Sequence, residues 1–221
     1  MRNILPYCLP FLLLPCSFAA PSQPLQHEQI KQAYYDSYAC ERKHDYAGAL
    51  RALSPVLTAY PSGYTVNYRC GWLSYCDSSF TDALACYRKA QLIYPSSLEI
   101  INSITIVFAA QRDWPSVEKE ALKAVKIDYY NTIANYWYAR SLMFNGKYRL
   151  SEEVSRKMLA VLPTSVTFLV TLGETLFTVK KFDEARELFL SCIILDPENK
   201  TANRYLPLCT GGSKRTKKRS K

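Results

Sequence analysis

The chain has 221 residues, 48% apolar and 21% charged, an ordinary globular balance that excludes disorder over most of its length. Seven glycines and two histidines leave little material for phosphate-cradling loops or histidine-rich metal sites. The formal charge of +9 points to an anionic partner, but six cations crowd into the last eight residues and Arg2 stands at the other end; without these seven, 21 basic residues face 19 acidic ones, and the body is nearly neutral.

Residues 1–19 are expected to be a secretory signal peptide. Arg2 precedes an apolar stretch from Ile4 to Leu14, and Ser17-Phe18-Ala19 places small residues before a cut between Ala19 and Ala20. Two alternatives exist: a lipid-modified Cys16, and an uncleaved anchor. The 17 residues from Ile4 to Ala20 are interrupted by Pro6, Pro10 and Pro15, short for a span of about 20. The expected destination is the periplasm, the exterior or an ER lumen. Residues 20–29 are expected to be a linker. Six cysteines lie beyond the cut: Cys40, Cys70, Cys76, Cys86, Cys192 and Cys209. An even number in an exported chain permits disulfides, while small buried thiols are the other expectation.

From residue 30 the sequence repeats every 34 residues without insertion, in units 30–63, 64–97, 98–131, 132–165 and 166–199. Position 17 of each unit is aromatic: Tyr46, Phe80, Trp114, Tyr148 and Phe182. Position 32 is proline in four units, with Tyr129 in the third. Position 34 is Gly63, Ser97, Asn131, Ser165 or Asn199, all favoured helix N-caps. These columns specify two antiparallel helices per unit, which bury their apolar faces only by stacking on neighbouring units.

Period and columns resemble the tetratricopeptide repeat (TPR) family. The second unit carries Gly71, Phe80, Ala83, Tyr87, Ala90 and Pro95; the fifth carries Gly173, Phe182, Ala185, Phe189 and Pro197. The resemblance implies an all-α, right-handed superhelical solenoid over residues 30–206. Pro55 is expected to kink the second helix of the first unit. Residues 200–206 are expected to form a partial cap stopped by Pro207, and residues 207–221 a flexible basic tail.

No catalytic motif, cofactor fingerprint or metal-ligand spacing occurs, and an enzyme is not expected. The resemblance places positions 2, 5, 9, 12 and 13 of the first helices along a concave groove. There it puts Tyr34, Tyr38, Tyr68, Trp72, Tyr75, Tyr136, Arg140, Phe144 and Phe177 as candidates for contacting a protein or peptide partner, with Arg140 as a fixed charge. The lysine–asparagine pattern that some family members use to clamp carboxylates is missing. The alternative for the rings is that they complete the core. A second expectation assigns Lys214, Arg215, Lys217, Lys218, Arg219 and Lys221 to an anionic membrane, envelope polymer or nucleic acid.

Overall fold

A computed structural model describes residues 25–219, with side chains described to residue 210. The expected signal peptide lies outside the described residues. Among the described residues eleven helices follow one another: α1 (His27–Glu41), α2 (Tyr46–Ala59), α3 (Tyr64–Cys76), α4 (Phe80–Ile93), α5 (Leu98–Ala110), α6 (Trp114–Ile127), α7 (Thr132–Phe144), α8 (Tyr148–Val161), α9 (Val166–Thr178), α10 (Phe182–Leu195) and α11 (Lys200–Arg219). There is no strand among the described residues. Each helix packs on the next, and the odd-numbered helices also pack on one another in order from α3 to α11. The result is an all-α solenoid of helical hairpins.

The 34-residue columns account for the helix ends. The even-numbered helices all begin at the position-17 aromatic, and the odd-numbered ones from α3 to α9 begin at position 1. Side chains of Ser97, Asn131 and Asn199 accept from the N–H three residues on, at 3.4, 3.0 and 3.0 Å, which satisfies donors that a helix start leaves free. α1 starts three residues before the first unit. Gln29 Oε1 accepts from the Gln26 N–H at 2.9 Å and caps the extra turn.

The turns inside the hairpins share one device. Position 15 has positive φ in all five units: His44 59°, Ser78 61°, Arg112 58°, Gly146 75° and Lys180 65°. The next N–H then reaches back five residues, as in Asp45 N–H to Cys40 O at 3.0 Å and Lys147 N–H to Leu142 O at 2.8 Å. Only the fourth unit uses glycine there, so this turn is almost invisible to a search for glycines.

Close packing within hairpins rests on complementary volumes at positions 8 and 24. Gly71 faces Tyr87 and Gly173 faces Phe189; a Cβ on either glycine would fall 2.6 or 2.7 Å from the ring. Where position 8 is larger, as Thr105 or Ala139, position 24 shrinks to Ala121 or Ser155. All of these, the two glycines included, are buried, as is Met158 in the fourth unit.

Two prolines lie inside helices, and at one of them, Pro207, the chain departs from expectation. α2 continues through Pro55, between buried Leu53 and Val56. α11 does not stop at Pro207: it runs on to Arg219, so the cap is longer than residues 200–206 and the chain after Pro207 is helical as far as Arg219. Cys209, 1% exposed, lies beyond the proline and joins Ala202, Phe189 and Cys192 in the C-terminal core.

Candidate functional site

The nine groove candidates all lie on odd-numbered helices, because a spacing of three and four residues keeps them on one side. Packing divides them into three groups.

At the N-terminal end, α1 and α3 are joined by a cluster of paired charges and rings. Arg69 Nη2 donates to Glu41 Oε2 at 2.6 Å, and Trp72 Nε1 donates to Glu41 Oε1 at 2.7 Å. The Arg69 guanidinium lies 3.9 Å from the Tyr38 ring centre. The Arg69 hydrogen bond and that of Trp72 hold the Glu41 carboxyl below the usual carboxylate range. Tyr38 and Trp72 stay substantially exposed, while Tyr34 is half-buried in the core and its hydroxyl pKa is pushed up by burial.

A second group is consumed by packing. Tyr68 stacks on Tyr64 at 6.3 Å and tilts against Tyr87 at 5.8 Å. Tyr75 lies 6.1 Å from Phe80, and Phe177 lies 5.2 Å from Phe182 and 4.9 Å from Tyr205. Phe144 stacks on Trp114 at 4.0 Å. Tyr68 and Tyr75 meet rings of their own hairpin and Phe177 also meets Tyr205 of α11, whereas Phe144 remains 46% exposed.

The third group is open. α7, α9 and the start of α11 enclose a trough of about 500 Å³. Ile133, Tyr136 and Trp137 form one wall, Val166 and Val170 the other, and Thr167, Thr171, Asn199 and Thr201 contribute hydroxyl and amide groups. Arg140, expected as a charge free for a partner, is neutralised by Glu174, because stacking brings position 9 of the fourth unit beside position 9 of the fifth. The trough is therefore apolar and polar in patches, with its one central cation already paired.

Sequence reasoning missed Arg69, Ile133 and Trp137. Ile133 stands at position 2, a groove column whose residues were not singled out, and Arg69 and Trp137 stand at position 6, which shares the helix side of positions 2 and 9 and would have been found by adding that column. Of the tail candidates, Lys214, Arg215, Lys217, Lys218 and Arg219 fall on the last turns of α11, where side chains are not described, and Lys221 lies outside the described residues.

The six cysteines are free thiols. Burial raises the pKa of Cys70 to about 11, with Cys86 adding to it, and burial raises that of Cys192 and Cys209 too, away from nucleophilic thiolate character. His27 and His44 are both exposed and far apart in the chain's layout, one at the start of α1 and one in a turn.

No family model matches the chain, and no curated protein matches it. Solved structures do. A tetratricopeptide repeat protein from Parabacteroides merdae superposes with a TM-score of 0.75 at 16% identity, over 85% of this chain and 76% of that one. YrrB, described as a TPR protein with an unusual peptide-binding site, gives 0.66 at 15% identity, over 80% and 93%. MamA from Desulfovibrio magneticus gives 0.71 at 15% identity, over 80% and 99%. The helix order, the 34-residue register and these superpositions together establish the fold as that of a TPR solenoid.

Proposed function

We propose that this chain is an exported scaffold that binds a peptide segment of a protein partner in the trough between α7, α9 and α11, and catalyses nothing. One observation carries the proposal: Ile133, Tyr136, Trp137 and Val170 leave an apolar trough rimmed by hydroxyls between α7, α9 and the start of α11. Apolar side chains of a peptide would fill it, and the hydroxyls of Thr132, Thr167 and Thr201 would bond its backbone. With Arg140 paired to Glu174, the trough suits a neutral or mixed-charge segment. YrrB lends the reading support, being described as peptide-binding with the same fold.

The test is a displayed random-peptide selection against the native chain, followed by affinity measurement on an Ile133→Asp variant. Ile133 is 52% exposed, so the change spares the core. Selected peptides should bind the variant at least tenfold more weakly, about 1.4 kcal/mol. Peptides that bind both proteins equally would place recognition elsewhere.

A further inference from the structure

Two departures from the repeat meet between the second helices of the third and fourth units. Position 32 of the third unit is Tyr129 where the other units have proline, and position 26 of the fourth is a half-buried lysine, Lys157. Lys157 Nζ donates to the Tyr129 carbonyl at 3.0 Å and to Oδ1 of the fully buried Asn135, and it lies 3.8 Å from the Tyr129 ring centre. All three partners are neutral. Lys123, at the same position of the third unit, instead meets the Glu120 carboxylate at 3.0 Å. No carboxylate among the described residues pairs with Lys157, and burial pushes its pKa down unopposed. Its two oxygen partners occupy two of the three ammonium donors, leaving one donor and an uncompensated charge.

That ammonium stands in the wall of a cavity of about 440 Å³ between α6 and α8, lined also by Tyr138 of α7. The size lies within the range of about 300–1,000 Å³ that small-molecule sites occupy. Leu122 and Val125 of α6 and Leu150 and Val154 of α8 make its apolar part. Lys126 adds a second cation, and the one lining anion, Glu153, is already paired with Arg149. The trough is bounded by odd-numbered helices and this cavity mainly by even-numbered ones, so the two are separate.

We propose that this cavity binds a small amphipathic carboxylate of the fatty-acid kind, its chain between the four aliphatic side chains and its carboxylate on Lys157. The charge left over on Lys157 calls for an anion, and the aliphatic lining calls for an apolar body attached to it. No protein side chain joins a carboxylate to a long apolar stem, since aspartate and glutamate have one and two methylenes. A peptide backbone would moreover meet Leu122, Val125, Leu150 and Val154 without a hydrogen-bond partner. A fatty-acid chain meets both demands at once.

Reductive methylation of the full chain, read lysine by lysine by mass spectrometry, tests this with octanoate as the probe. At about ten times its dissociation constant, octanoate should slow methylation of Lys157 roughly tenfold and leave Lys43 and Lys180, in the hairpin turns, unchanged. Octanol, the same chain without the carboxylate, should protect Lys157 far less. A Val154→Trp variant, which fills the cavity and keeps the lysine, should lose the protection by octanoate; the comparison of octanoate with octanol on the native chain needs no variant. An unchanged Lys157 rate, equal protection by octanol, or equal slowing at Lys43 and Lys180 would overturn the proposal. So would protection by an acetylated Glu-Leu-Leu amide as strong as that by octanoate, which would assign the cavity to a protein partner.

Discussion

Gly71 and Tyr87 show how single residues decide the hairpin. The glycine is required by space, since the chain there is ordinary helix and a Cβ would meet the ring at 2.6 Å. Gly71→Ala should destabilise the protein by about 1–3 kcal/mol through overpacking, despite alanine's better helix propensity. In the double variant with Tyr87→Leu most of that penalty should vanish, so denaturant melts of the four proteins would give a coupling energy above about 0.5 kcal/mol. Additive effects would mean that the two positions do not compete for the same volume. Charge is also settled residue by residue. Glu120 is 2% exposed; burial pushes its pKa up, but Arg88 at 2.7 Å and Lys123 at 3.0 Å outweigh this and hold the carboxyl below its usual range. Glu41, Glu118 and Glu152 are lowered as well. A depressed carboxyl stabilises the fold above its unfolded pKa and ceases to as pH falls through the folded value. Thermal stability should accordingly be flat from neutral pH to about 5 and fall below about 4.3. Equal melting temperatures at pH 7 and pH 3 would contradict this.

At the scale of helices and turns, left-handed position 15 carries the register from one helix to its partner. Four of its five occupants are not glycine, and each bears a steric penalty of about 1 kcal/mol. Lys180→Gly and Arg112→Gly should therefore raise stability by several tenths of a kcal/mol, net of the entropy that glycine adds to the unfolded chain, whereas Gly146→Ala should lower it by about 1 kcal/mol. Calorimetry on the three variants reads the signs; a stabilising Gly146→Ala would refute the turn assignment. Helix starts were legible in the sequence because position 17 and position 34 each do one physical job, filling the turn and capping. Helix ends were less so. Pro207 reads as a stop, but Cys209 beyond it is buried by α10, and a contact so far from the local sequence leaves no local mark. The third unit breaks its proline column for a similar reason. Tyr129 gives its carbonyl to Lys157 Nζ at 3.0 Å and its ring at 3.8 Å, joining the third unit to the fourth.

Across the whole molecule, ion pairs cross every junction between units: Glu41 to Arg69, Arg88 to Glu120, Lys147 to Glu118 and Arg140 to Glu174. These links explain why the groove was only partly legible. Helical spacing placed Tyr38, Trp72, Tyr136 and Arg140 on the inner face, but whether a ring or charge there is free depends on the adjacent unit. Glu174 takes Arg140, Tyr205 takes Phe177, and Trp114 takes Phe144, each from 28 to 34 residues away in sequence. What remains open is the trough beside Trp137. A titration that reads Trp137 alone tests that assignment most directly, using a Trp72→Phe/Trp114→Phe background and a peptide selected against the native chain. Binding should shift the Trp137 emission and saturate with the peptide's affinity. A peptide that binds fully while that emission stays unchanged would show that the trough is not where the partner sits.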